Sequence, residues 1–530
     1  MTKDTFFGRK LCLDILNKRV SDLKDGYRQN IAIVGDELVG KTTLVFRFLE
    51  SFFDTRIITL YVEVRPESVA AFARRFIGIL LYSFLANSGT PLKEDIDFLI
   101  LRSERYIPRT VEKIRTILCA VDKRKKNNIF TELLSLCESV HQETGKSSVV
   151  IMDEFQNVEN LGIANIYREW SRLLISQKNT MYVIISSMKY KTRTILSKDL
   201  SLLFGNFEMV AVEPLDIASS QQYLNQRLSG ICLDQGLAKF IVHFTGGYPL
   251  YLEVITEELL KVQNLSLPDI LDRLLFDASG TLNQRFSTCM KRFLDLPNSN
   301  DYVSILYLVA SGRNKVKDIA NALNKPVKQL QLRINRLMEM DTITRNGDFL
   351  GINDRVFGFW LRFVYKEKSR SLTYDAKFQN TKFRDHIEEM IGEYMSSSQK
   401  PVFERVAELM RSFEDDTLQI EKRKFKLDHF REVKPVQLNI GNLRHGLICR
   451  SQESVWIVAF KTEALTEEEI TAFSRECKKF RSKLQRKIII AFKDSDSNVR
   501  LKAMEEKVWT WDINNLNKFM DLYSKPRVIV

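Results

Sequence analysis

Over the first 215 residues, short apolar runs alternate with segments whose apolar positions recur every three to four residues. The runs fall at 29–34, 56–64, 147–153, 181–186 and 207–212 and read as strands, with helical patterns between them. This alternation predicts an α/β fold, a parallel sheet joined by crossover helices. From 67 to 145 the helical pattern runs on without a strand, which predicts a helical insertion. It carries the basic cluster Lys123-Arg124-Lys125-Lys126, read as a solvated helix end. Residues 216–296 are helical throughout, broken by Gly246-Gly247-Tyr248-Pro249. A compact helix-rich unit follows at 297–364, then a charged connector at 365–382. The segment 383–530 returns to mixed α/β, with strands at 446–449, 455–460 and 487–492 and a helix at 466–484. There is no internal repeat and no low-complexity tract.

Composition narrows the class. The chain has 530 residues, 44% hydrophobic and 28% charged, with only 21 Gly and 11 Pro. Those values predict an ordered, helix-rich chain of several domains and exclude collagen-like, mucin-like and wholly disordered classes. The formal charge of +13 is a modest bias towards polyanions, and it equally suits a plain basic cytosolic protein. The seven cysteines are scattered, with no CxxC pair, and there are five histidines. Neither a disulfide framework nor a zinc centre is expected, and a reducing cytoplasm is the expected compartment. The N-terminus lacks the apolar core of a signal peptide. The most apolar stretch, 76–86, falls short of the ~20 residues that span a bilayer, so no membrane association is expected.

Gly35-Asp36-Glu37-Leu38-Val39-Gly40-Lys41-Thr42 satisfies G-x-x-x-x-G-K-[ST], with a strand before it and a helix from Thr43 after it. Two glycines let backbone N–H groups approach phosphates, and the helix N-terminus favours negative charge. Lys41 is placed to meet the β- and γ-phosphates of ATP, and Thr42 to put its hydroxyl on Mg²⁺. Asp36, Val39 and Thr43 complete the expected nucleotide-binding set. The apolar run ending in Asp153-Glu154 supplies the complement: Asp153 for the metal, Glu154 to orient and deprotonate the attacking water. At the end of the next strand, Ser186 or Ser187 would stand by the γ-phosphate.

Phe7-Gly8-Arg9, the 35–42 loop, Asp153-Glu154-Phe155-Gln156, Ser186-Ser187 and Gly247-Tyr248-Pro249 together resemble the prokaryotic, mainly archaeal, ATPases of the AAA+-related STAND class. That resemblance implies an ASCE P-loop sheet in the order 5-1-4-3-2 followed by a helical lid over 216–296. It implies that Phe7, Gly8 and Arg9 lie near the adenine or ribose, and that Pro249 contacts the nucleotide from the lid. Members often carry an arginine finger before the fifth strand. Here the stretch is Leu203-Phe204-Gly205-Asn206, without an arginine, and Arg193 or another residue would have to substitute. Binding without fast turnover is therefore expected.

Within 297–364, helical patterns at 302–310, 316–323 and 327–340 precede a hairpin pattern around Asn346-Gly347, which is a winged helix. Lys328, Gln331, Arg333 and Arg336 are its candidate contacts to double-stranded DNA; a protein partner is the open alternative. The pair 446–449 and 455–461 resembles a PD-(D/E)XK nuclease, or restriction-endonuclease-like, core. Its acid positions read Gly446 and Ala459, and only Lys461 remains. No nuclease activity is expected without those carboxylates. Glu432-Val433-Lys434 lies outside that pair.

The sequence thus predicts an ATP-binding, slowly hydrolysing switch ATPase that couples nucleotide state to DNA or a protein partner. A non-hydrolysing nucleotide-bound scaffold and a DNA-loading ATPase of replication-initiator or transposition-helper type are its alternatives. Homo-oligomerisation stays open.

Overall fold

The structure, a computed structural model, describes residues 7–529 except 88–92, 124–127, 201–206, 232, 262–265, 371–374, 421–422, 439, 442, 444, 481–483 and 494–495. It forms two compact units. One is Met1–Ser219 with Tyr248–Leu250 and Glu339–Asp341; the other is the rest of the chain.

The first unit is built on five parallel strands, β1 (Asn30–Val34), β2 (Ile57–Glu63), β3 (Ser147–Asp153), β4 (Thr180–Ser186) and β5 (Phe207–Ala211), in the order β2-β3-β4-β1-β5. This is the expected order read from the opposite edge. The central strands β1, β3 and β4 are near-continuous buried apolar runs, as parallel strands covered on both faces must be. Between β2 and β3 lie the helices Val69–Ala86, Ile96–Ser103, Pro108–Asp122 and Ile129–Thr144. The first of these exceeds the apolar run read from sequence. At 18 residues and a mean hydropathy of 1.6 it is long and apolar enough to cross a membrane. Here Phe72, Phe76, Leu80 and Leu81 are instead buried in a core with Phe130 and Trp170. Each such side chain contributes about 1.5–3 kcal/mol when fully buried.

The second unit begins with helices, among them Gln235–Thr245, Leu267–Leu275 and Thr281–Leu294. Next come Ser299–Ala310, Val316–Leu323 and Val327–Glu339, then the antiparallel pair β6 (Ile343–Asn346) and β7 (Phe349–Ile352). The segment is therefore three helices followed by a two-stranded antiparallel hairpin. Leu330, Ile334 and Leu337 form the buried stripe of its third helix, at spacings that return to one face. The expected connector is largely helical. A π-helical turn, Leu361–Tyr365, leads into Lys366–Arg370, and a 24-residue helix spans Ala376–Gln399. The long helix is tied to the helix Leu267–Leu275 by Asn380 Nδ2 donating to Asp272 Oδ1 at 2.7 Å and by an Arg384–Asp269 ion pair.

A hairpin follows where no strands are expected, β8 (Asp416–Ile420) with β9 (Arg423–Leu427). The last sheet orders β10 (Glu432–Gln437), β11 (His445–Arg450), β12 (Val455–Lys461), β13 (Leu484–Ala491) and β14 (Val508–Trp511) in sequence. Pairing is antiparallel from β10 to β12 and parallel from β12 to β14. Trp456 and Val458 face one apolar layer, Ile457 and Ala459 the other, as period-two alternation requires. The helix expected at 466–484 is shorter. Thr466 and Glu469 form a capping box at its start, and Glu467–Cys477 passes through the turn Lys478–Phe480; Leu484 already belongs to β13.

Candidate active site

The loop between β1 and the helix Lys41–Ser51 is shaped by two glycines. Gly40 sits at φ +88°, a left-handed conformation that side chains disfavour. A Cβ on Gly35 would meet the Val212 carbonyl oxygen at 2.2 Å, so the chain after β5 crowds out any side chain there. Val39 is buried beneath the loop, and Thr42 and Thr43 are half-buried at the helix start. Lys41 Nζ donates to the carbonyls of Gly35 at 3.1 Å and Asp36 at 2.7 Å. Burial pulls its pKa down, while Glu154 and Asp153 act against that. Asp36 is held by Lys189 at 2.7 Å and lies 3.4 Å from the Tyr248 hydroxyl.

Asp153 ends β3. Its Oδ2 accepts from Thr42 Oγ1 and from the Tyr61 hydroxyl, both at 2.7 Å, and its Oδ1 accepts from the Glu154 N–H at 2.8 Å. Glu154 adopts φ +53°, a conformation costing about 1–3 kcal/mol in a non-glycine residue and concentrated at functional sites. Burial, then the Asp153 charge, raise its pKa. The Gln156 amide donates to Glu154 Oε2 and, at 3.3 Å, to Ser187 Oγ, while its Oε1 accepts from Ser186 Oγ at 2.7 Å. Sequence reasoning misses Tyr61 and Gln156 as site residues. Tyr61 meets Asp153 only because β2 pairs with β3, and Gln156, though within the Asp153-Glu154-Phe155-Gln156 stretch, lies two residues past the Asp-Glu pair with no role of its own in the sequence.

Hydroxyl and carboxylate oxygens converging at Thr42 and Asp153 fit Mg²⁺. That ion takes one or two carboxylates and completes its shell with water and phosphate oxygens. Among the described residues no group of three or more His, Cys, Asp or Glu could hold a metal without such help.

The remaining predicted residues are placed as follows. Arg9 Nη2 donates to the Val39 carbonyl at 2.9 Å, which fastens the 7–9 segment to the phosphate loop. Phe7 and Gly8 precede it, Gly8 at φ +64°. Pro249 opens the helix Pro249–Lys261, and Tyr248–Leu250 cluster with the first unit. Arg193 lies on the helix Lys189–Lys198; Asn206 is outside the described residues.

In the second unit, Arg333 Nε pairs with Asp301 Oδ2 at 2.7 Å. Gln331 bonds to Asn335 and to the wing residue Arg345. Lys328 and Arg336 are exposed on the same helix, beside Leu332 at 73% exposure. The wing turn is itself engaged: Asp348 N–H donates to the Thr417 carbonyl at 2.9 Å, and Thr417 N–H returns a bond to Asp348 Oδ2 at 2.8 Å. In the C-terminal sheet, Gly446 pairs in register with Ala459, and a Cβ on Gly446 would meet the Val458 oxygen at 2.7 Å. Lys461 is buried against Glu469 at 2.7 Å, and Glu432 pairs with Lys434 and Arg450.

The sheet order, the loop and the carboxylates after β3 define the fold of a P-loop ATPase. Among solved structures, the Walker-type ATPase PABY2304 of Pyrococcus abyssi is similar at a TM-score of 0.51 and 18% identity, over 68% of this chain and 97% of that one. The ORC1 protein of Aeropyrum pernix in complex with DNA is similar at 0.36 and 14%, over 68% and 93%. The ORC2 protein of the same organism, in its ADPNP-ADP complexes, stands at 0.33 and 12%, over 74% and 97%. No protein-family model matches the chain, and no curated protein does.

Proposed function

We propose that this protein is a Mg²⁺-dependent ATPase of low turnover, a nucleotide-controlled switch whose second unit engages DNA or a protein partner. The observation that carries the proposal is the Thr42–Asp153 hydrogen bond of 2.7 Å beside Lys41 and Glu154. It brings the two expected metal-side groups, distant in sequence, to one point at the loop. Lys41 would exchange its bonds to the loop carbonyls for β- and γ-phosphate oxygens. Thr42 and Asp153 would hold Mg²⁺, which supplies charge neutralisation at the phosphates when bound. Glu154 would orient water and take its proton, and Ser186 or Ser187 would donate to the γ-phosphate. Arg9, with Phe7 and Gly8, would border the base or ribose, and Pro249 would approach from the other side.

The winged helix and the +13 charge support DNA as the partner of the second unit. Lys328 and Arg336 are the proposed phosphate contacts. Binding should then weaken as salt rises, since each phosphate contact releases counterions; a flat salt response would remove DNA from the reading. Nuclease chemistry is not proposed, because Gly446 and Ala459 offer no carboxylates. The ATPase reading is tested by single-turnover hydrolysis: wild type should convert MgATP to ADP, and Glu154→Gln should bind it but convert it about 10²–10⁴-fold more slowly. Equal rates for the two proteins would refute it.

A further inference from the structure

We infer that Gln156 is a positioning residue that clasps the Glu154 carboxylate to the end of β4, and that Ser187, not Ser186, is the hydroxyl left to meet the nucleotide. The inference rests on the ATPase reading above and deepens it.

Hydrogen-bond counting leads there. Gln156 lies in the 3₁₀ turn Phe155–Leu161 and is only 8% exposed, so its amide must be satisfied by protein groups. Ser186 Oγ accepts from the Met188 N–H at 3.1 Å, and its single proton goes to Gln156 Oε1 at 2.7 Å. That proton fixes which way the amide points: its NH₂ faces Glu154 Oε2 and Ser187 Oγ. Ser186, 1% exposed, has then spent its donor inside the protein. Ser187 is half-buried and serves Gln156 as an acceptor, so its own proton is directed elsewhere. Lys191 Nζ steadies the backbone of Gln156, donating to its carbonyl at 3.2 Å while pairing with Glu159 at 2.5 Å.

One amide thus joins the end of β3 to the end of β4. Glu154, in its left-handed backbone, lies just past the last residue of β3, where the ladder no longer orients its side chain. Gln156 supplies that orientation, holding the carboxylate near Ser187.

The test is a double-mutant cycle in steady-state ATP hydrolysis, with calorimetric binding of a non-hydrolysable ATP analogue measured alongside. Gln156→Ala should lower kcat roughly tenfold, through lost orientation, with KM and analogue affinity unchanged. In a Glu154→Gln background the same substitution should cost nothing more, because its effect passes through Glu154. Gln156→Glu keeps the shape and the acceptor for Ser186 but sets a like charge against Glu154, so it should lower kcat further than alanine does. It also decides the matter if the alanine variant does not fold. Ser187→Ala should lower kcat more than Ser186→Ala. Equal losses in both backgrounds, or a rise in KM at constant kcat, would overturn the inference while leaving the ATPase reading standing. Wild type that binds nucleotide and never hydrolyses it would overturn both.

Discussion

Strand β3 of the first unit and strand β12 of the second each close a buried apolar run with a buried charge, Asp153 in one and Lys461 in the other. Their surroundings differ. Asp153 is met by Thr42, Tyr61 and its own successor, and Glu154, Gln156, Ser186 and Ser187 form a polar network beside it. Lys461 is met by Glu469, with Glu463 at 3.8 Å, and the paired positions Gly446 and Ala459 bring only carbon. A charged strand end becomes a site when adjoining ends bring polar groups to it and leave room. Where neighbours are apolar, a buried charge at a strand end is absorbed by ion pairs, as Glu469 and Glu463 do for Lys461.

The contrast can be broken by substitution. The largest effect belongs to Glu154→Gln, expected to slow ATP hydrolysis by about 10²–10⁴ while retaining affinity, read by single-turnover kinetics and calorimetry. Lys461→Ala should leave hydrolysis untouched and cost about 1–3 kcal/mol of stability in urea unfolding, because Glu469 loses its buried partner. If it reduced ATP turnover instead, the second sheet would be more than a support. Gly446→Ala should cost a similar amount, about 1–3 kcal/mol, through overpacking against Val458 and Leu438, again without touching hydrolysis.

A smaller effect is expected from pH. Burial raises the Asp354 carboxyl from 3.8 to about 6, against its hydrogen bonds from Tyr251 and Phe357 N–H and the charge of Arg285. A carboxyl with a raised folded-state pKa adds stability when protonated, and that contribution fades as pH rises through about 6. Asp354→Asn removes the titration and keeps one acceptor oxygen for the Phe357 N–H, while its amide NH₂ can face the Tyr251 hydroxyl as a donor. Thermal melts between pH 4 and 7 should therefore show wild type losing stability relative to the variant as pH rises. Parallel curves would contradict this.

What can be read from the sequence follows the range of the interactions. The phosphate loop occupies eight consecutive residues, and its glycines, lysine and threonine each act through local backbone geometry. The central strands β1, β3 and β4 are legible because buried parallel strands are uninterrupted apolar runs, and β2 shows the alternation of a half-buried strand. Gln156 stands in the motif without an evident role, since its amide meets Ser186 across 30 residues of chain, and Tyr61 meets Asp153 across 92. The β8–β9 hairpin does alternate, with Leu418 and Ile420 in β8 and Phe425 and Leu427 in β9, but each run is only five residues long and is set among charged residues, so it reads as a loop. The connector's charges fall on helices, Lys366 and Lys368 on the short one and Lys377 on the long one, and polarity alone reads as a break. Arg333 cannot be distinguished from a DNA contact until Asp301 is seen beside it.

Phosphate recognition by the loop at residues 35–42 underlies every role assigned to the first unit. Calorimetric titration of ATP and ADP with Mg²⁺ into wild type and Lys41→Ala tests it most directly. Wild type should show one saturable site per chain, and the variant should bind on the order of 100-fold more weakly, having lost a charge-assisted contact. No measurable heat from folded wild type, or equal affinity in the two proteins, would contradict it.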